Sequence, residues 1–369
     1  MKRILLVAAL AAGCSSDPGP KPADPPRIDN AKRVRVLWSA NVGSGEHFTF
    51  APALAGGWIY AAARDGTVTS LSEKTGAERW RNSVELRLSG AVGADDATVA
   101  VASEEGEVVA LEAATGKVRW RARASSEVLA PPAVAAGLVL VRTIDNRVFA
   151  FGADDGKRRW VYQRPTSSLV VRAPAGITVA GDVAFAGFPG GKLAALALAS
   201  GALRWEATVA QPKGATELER VADVIGDPAA QGREVCAAAY RSRIACYDAA
   251  SGRQIWAREL ASLSGVGLDA RYAYVADERG ALHAFDRSNG QSVWKQDKLA
   301  HRQLSTPLAA GDAVVVGDFQ GYIHFVARES GEFIARGDTS GAVRTAPRPL
   351  GGTGVLVQTV NGGLFALAL

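Results

Sequence analysis

The chain has 369 residues, 48% of them hydrophobic, and its 42 Lys and Arg against 37 Asp and Glu give a formal charge of +5. That excess is small and the basic residues are scattered, so the charge pattern gives nucleic-acid binding no support. Length alone would suggest two or three domains, and the four histidines show no metal-ligand spacing.

Residues 1–13 read as a signal peptide. Lys2 and Arg3 make a basic start, and the apolar stretch at 4–12 is too short to span a bilayer. Ala11-Ala12-Gly13-Cys14 resembles the lipobox of bacterial lipoproteins, which implies acylation of Cys14; the alternative is an ordinary secretory signal with a chance cysteine. Ser15 stands where an Asp would retain such a lipoprotein on the inner membrane, so the resemblance implies the periplasmic face of the outer membrane. Residues 14–30, with Pro18, Pro20, Pro22, Pro25 and Pro26, are expected to be a tether. No other stretch is long and apolar enough for a membrane helix, so the anchor is the one membrane contact expected.

From residue 31 to 369 the chain is repetitive. Gly76, Gly116, Gly156, Gly201, Gly252 and Gly290 are each followed four residues later by a tryptophan: Trp80, Trp120, Trp160, Trp205, Trp256 and Trp294. Gly331 keeps the register with Ala335 at the anchor position. Ten residues before each of these glycines sits a turn position: Gly66, Gly106, Asn146, Gly191, Ser242, Gly280 and Gly321. Gly and Asn there signal tight hairpins, because they supply positive φ at little cost. Apolar residues two and five places after each turn, such as Val108 and Leu111, lie on opposite faces of a strand, so both faces are buried. A unit of about 40 residues with several short strands reads as a propeller blade.

An eighth copy starts at Gly362 and stops at Leu369 before any anchor, while residues 34–38 supply a strand with its own Trp38 and no preceding hairpin. The expected fold is therefore all-β: one domain, an eight-bladed β-propeller of four-stranded antiparallel blades, closed by the N-terminal strand completing the last blade. Closure of this kind leaves no free sheet edges. The repeated tryptophans are expected to be structural.

Cys246 falls on the small-residue position of the repeat, occupied elsewhere by Ser70, Ala110 and Ala150, so a buried small side chain explains it. Cys236 lies across the expected turn at Ser242. An oxidising compartment could join the two, against which stands a turn register taken to place them diagonally. His283 and His324 occupy one repeat position in consecutive blades, which argues for repeat logic. The chain shows no nucleophile elbow, phosphate loop or paired-carboxylate signature.

The repeat form at residues 106–120, Gly-x-Val-x-Ala-Leu with Gly116 and Trp120 following, resembles the tryptophan-docking repeat of pyrroloquinoline-quinone dehydrogenases, which are eight-bladed. Those enzymes carry two adjacent cysteines and acidic calcium ligands. No two cysteines adjoin here, so neither catalytic residues, nor a metal, nor a cofactor is expected.

A closer resemblance, over nearly the whole chain, is to the BamB family, lipoproteins of the outer-membrane β-barrel assembly machine. Signal peptide, lipobox, proline-containing tether and eight repeats match, as does residues 214–224 (GATELERVADV), which lies in the longest interval between anchors. A second matching segment is Ser168-Leu169-Val170-Val171-Arg172. The resemblance implies that both segments meet BamA, with Leu169, Val171, Arg172 and Asp223 as contacts. Ile225 stands where some relatives have a second Asp. It further implies a non-catalytic scaffold, monomeric within a hetero-complex, that binds the periplasmic POTRA domains of BamA, joins the rest of the Bam complex and meets unfolded outer-membrane proteins. The alternatives from other classes are a quinone-dependent dehydrogenase and a ligand-sensing or polysaccharide-binding propeller lipoprotein.

Overall fold

Thirty-two strands form eight four-stranded antiparallel sheets in a computed structural model that describes residues 20–165, 171–216 and 219–369. Seven sheets take consecutive strands; blade 1, for example, is Ala53–Ala55, Trp58–Ala62, Thr67–Ser72 and Glu78–Ser83. The eighth is composite: Arg348–Leu350, Gly354–Gln358 and Gly363–Ala368 are completed by the N-terminal strand Arg35–Asn41, with Trp38 opposite Ala366. The expected ring closure is thus present.

Within each blade the first strand faces the hub and the fourth the rim, where side chains alternate between solvent and the neighbouring sheet. The second and third strands are buried on both faces, as in Thr98–Ser103 and Glu107–Glu112. Among the described residues the hydrophobic core accordingly divides by seam. One cluster packs Tyr60 and Val68 of blade 1 against Val99 and Leu111 of blade 2. Another packs Ile59 and Leu71 of blade 1 against Leu356 and Leu364 of blade 8, closing the circle.

The tryptophans make these seams, and they do so across blades. Trp80 stacks not on Gly76 but on Gly116 of the next blade, and its Nε1 donates to Ala113 O at 2.9 Å. The same pair of contacts joins Trp38 to Gly76, Trp120 to Gly156, Trp160 to Gly201, Trp205 to Gly252, Trp256 to Gly290 and Trp294 to Gly331. A Cβ on any of these glycines would sit 2.5–2.7 Å from an indole carbon, and every one of them has positive φ. The four-residue spacing is therefore a periodicity and not a contact.

Ala335 now has a reason. Blade 8 is built from both chain ends, so no loop joins its third strand to its fourth, and an indole from blade 7 would find neither glycine nor carbonyl. The 7–8 seam is filled instead by Ala335, Phe325 and Leu367, with Val34 and Leu369 packed alongside.

The hairpin turns take positive φ at Gly66, Gly106, Asn146, Gly191, Gly280, Gly321 and Gly362. In blade 5 the residue with positive φ is Arg241 (φ 47°) and not Ser242. The register there is nonetheless that of the other blades, and it sets Cys236 directly opposite Cys246, as Tyr60 is set opposite Ser70. The two are joined in a buried disulfide; the diagonal placement expected from the sequence is incorrect.

Candidate partner-binding surface

Because strands alternate in direction, the turns between second and third strands share one face of the disc with the loops that lead from blade to blade. Backbone bonds tie the two sets together, as from Val84 N to Gly66 O (2.9 Å) and Arg164 N to Asn146 O (3.1 Å). Val171, Arg172 and Asp223 all lie on this hairpin face, in the loops entering blades 4 and 5. Leu169 and Cys14 lie outside the described residues.

Asp223 is only 5% exposed, yet it governs the local shape. Its Oδ2 accepts Val171 N at 2.6 Å and its Oδ1 accepts Gly190 N at 3.1 Å, so one carboxylate staples the blade 3–4 loop to the hairpin of blade 4. Arg142 adds positive potential: its guanidinium is lowered by burial while Asp223 pulls against that shift. Ile225, two residues on, is core, packed with Cys236 and Val266.

Arg172 is the exposed member, with a side chain 59% accessible. It does not point freely into solvent. Glu127 grips it in a two-point pair, Nε to Oε2 at 3.0 Å and Nη2 to Oε1, and Glu104 lies 3.9 Å away. The hydrogen bonds that Arg172 donates to Glu127 raise its guanidinium pKa above the ordinary value. Planar pairing of this kind fixes a guanidinium's orientation as well as its charge.

Behind the pair runs a network that the sequence reading missed. Arg64, 5% exposed, donates to Glu104 Oε2 at 2.5 Å and to Leu88 O at 2.6 Å, and lies over the Phe48 ring at 4.5 Å. The signal was present: Arg64 and Glu104 both stand two places before a turn glycine, in consecutive blades and with opposite charge. The surface thus offers a held arginine, flanking carboxylates and the partly exposed Ile144 (37%). The arrangement is suited to recognition by another protein chain, with apolar and Arg anchors beside a polar rim.

His283 and His324 each pair with the aspartate of their own hairpin, Asp277 at 3.0 Å and Asp318 at 2.9 Å, which is the repeat logic their spacing suggested. Among the described residues no three His, Cys, Asp or Glu gather as metal ligands.

A family model described as "Outer membrane protein assembly factor BamB" matches residues 30–91 and 64–296. A protein of that name from Bordetella pertussis is 44% identical over 367 residues, spanning 98% of this chain and 95% of its own length. Another, from Pseudomonas aeruginosa, is 44% identical over 355 residues, with 94% and 93% covered. The crystal structure of BamB from Moraxella catarrhalis superposes with a TM-score of 0.83 at 25% identity, over 91% of this chain and 100% of that one. Quinohemoprotein alcohol dehydrogenase from Comamonas testosteroni superposes over 90% of this chain and 76% of its own at 0.69 and 13% identity, a likeness of fold alone.

Proposed function

The chain belongs to the BamB family, assembly factors of outer-membrane proteins and not enzymes, and on that premise we propose that it is a lipid-anchored scaffold that grips the periplasmic POTRA domains of BamA with the hairpin face of blades 3 to 5. In this reading Cys14 carries the acyl chains, the propeller faces the periplasm, and the chain works as one copy within the Bam complex. It holds the machine in a shape that accepts unfolded outer-membrane proteins. Leu169 supplies an apolar contact, Arg172 the charged one, and Asp223 shapes the loop that carries Val171.

The observation that carries the proposal is the state of Arg172: exposed, yet pre-oriented by Glu127 and isolated from the fold's own stability. A side chain so placed loses little conformational freedom on binding, which is how preorganisation strengthens an interface. The test is co-purification with BamA from solubilised membranes. Arg172→Glu sets a third carboxylate beside Glu127 and Glu104, and with Leu169→Ala it should reduce recovery at least ~10-fold, the equivalent of about 1.4 kcal/mol. Thermal unfolding should stay within a few degrees of wild type. Normal recovery would refute the assignment.

A further inference from the structure

The proline-rich segment expected to be a tether has, from residue 20 onward, its own seat on the propeller. Side chains from residue 21 to 28 alternate with a period of three: Lys21, Asp24 and Arg27 are exposed, while Pro22, Ala23, Pro25, Pro26 and Ile28 are half-buried. Three residues per turn is the period of a polyproline II helix, which makes no internal hydrogen bonds and leaves its carbonyls free for others. Here the propeller uses them.

Arg302, 1% exposed, donates from Nε to Asp318 Oδ2 at 2.6 Å, from Nη2 to Gln320 Oε1 at 2.6 Å and from Nη1 to Ala23 O at 2.9 Å. A guanidinium buried that deeply needs every partner it has, and one of them is a main-chain carbonyl 279 residues away in sequence. Arg336 donates likewise to Pro26 O. Ala23 N bonds to Ala300 O at 2.9 Å and Lys32 N to Ile334 O at 2.8 Å. The segment therefore runs down the rim of blade 7 from the hairpin face, turns at residues 29 and 30, and enters blade 8 as its fourth strand. It spans the one seam that has no indole, where Val34 packs against Gly337.

We propose that residues 20–34 are a rigid strap, an integral part of the propeller that bridges blades 7 and 8 and brings the anchored N-terminus out on the hairpin face. At its upper end Pro20 lines, together with Leu263, Leu304 and Arg344, a groove of about 550 Å³. From there to Cys14 are six residue steps, at most about 20 Å of extended chain. Resting on the lipid-anchor reading above, the strap then sets which side of the disc meets the bilayer: the hairpin face around blades 6 and 7 is held close to the lipid headgroups and the opposite face is turned away.

Two measurements on the full mature protein decide this. Trypsin cleavage after Arg27 should be at least ~10-fold slower in the protein than in a free peptide of residues 20–34, because cutting requires the strap to leave its seat. Pro25→Gly with Pro26→Gly, or Arg336→Leu as a second route, should restore most of the peptide's rate without unfolding the propeller. Cleavage of the wild-type protein at the peptide's rate would overturn the strap. For orientation, the acylated protein is bound to phosphatidylethanolamine–phosphatidylglycerol vesicles carrying a headgroup acceptor dye, with a donor at Leu263→Cys on the hairpin face or at Asp312→Cys on the opposite face. Energy transfer should be clearly greater from position 263; equal or greater transfer from position 312 would overturn the orientation. A mature protein that fails to float with vesicles would overturn the anchoring and the orientation with it, while the trypsin rates would still decide the strap.

Discussion

Trp160 shows at single-residue resolution what holds a seam. Its indole is 8% exposed between blades 3 and 4, donates to Leu198 O at 2.9 Å, and lies flat on Gly201. Trp160→Ala should cost about 3–5 kcal/mol through the lost ring and the cavity it leaves. Gly201→Ala attacks the same contact from the other side: a Cβ would come 2.5 Å from the ring at φ +71°, so a loss of about 1–3 kcal/mol is expected. Denaturant unfolding of both variants measures this, and a near-neutral Gly201→Ala would contradict the stacking. The sequence made the indoles legible as structural anchors but did not show which glycine each one covers. Periodicity reports that positions recur; it does not say which copy touches which. Asp223 was misleading in a related way, since nothing in a sequence distinguishes a carboxylate facing solvent from one turned inward onto two backbone amides.

Burial also sets a pH dependence. His324 is fully buried, with Asp318, Arg302 and Arg336 around it and Tyr322 against its ring. Burial lowers its pKa, outweighing the pull of Asp318, and its Nδ1 has no acceptor, so it is neutral in the fold. The unfolded chain takes up that proton near pH 6.5, so the contribution is complete above about pH 7 and is lost as pH falls through and below 6.5. For Asp318 burial works upward, but hydrogen bonds from His324 and Arg302 outweigh it and hold the carboxyl below its ordinary range. Its contribution is lost only below about pH 4. Unfolding free energy should accordingly fall in two steps on acidification, and His324→Gln should flatten the first of them.

At the scale of the element, the hairpin of blade 5 carries a covalent staple. Cys236 and Cys246 face each other across paired strands and close a loop of 10 residues in sequence separation. Restricting the unfolded chain through so short a loop stabilises by about 2–3 kcal/mol. Replacing both with Ala should lower the stability by that amount, and a reductant should produce the same shift in wild type but none in the variant. The register that sets the two opposite was readable from the repeat, because positions six before and four after the turn are paired in blade 1 as Tyr60 and Ser70. What misled was the turn itself, where Arg241 takes the left-handed conformation that glycine or asparagine provides elsewhere. The proline-rich segment was harder still: composition gave its conformation, but its seat depends on two arginines some 280 to 310 residues downstream.

For the whole molecule, the blade number and the ring closure followed from counting repeats, because a strand that must be buried on both faces can be satisfied only between two others; the outer strand of each four-stranded blade nonetheless remains a sheet edge. The candidate partner surface was less legible. It is assembled from loops of different lengths, and a repeat constrains loop length least. Its central ion pairs join Arg64 of blade 1, Glu104 of blade 2, Glu127 of the loop entering blade 3 and Arg172 of the loop entering blade 4, residues tens of positions apart. Glu127→Gln tests whether that assembly is more than decoration. Glu127 is itself buried, but Gln keeps its shape and one acceptor oxygen, so thermal unfolding should change little while recovery of BamA weakens through a less tightly held Arg172.

The composite eighth blade also determines how the protein bears force. Any tug on the N-terminal end of the chain is directed at the strand that shuts the ring, beside the joint without a tryptophan rivet. Because Ala23, Pro26 and Lys32 are first made fast to blade 7, the load is shared in shear across several backbone bonds before it reaches that strand. A disc loaded at the joint that lacks an indole can in this way be pulled without springing open.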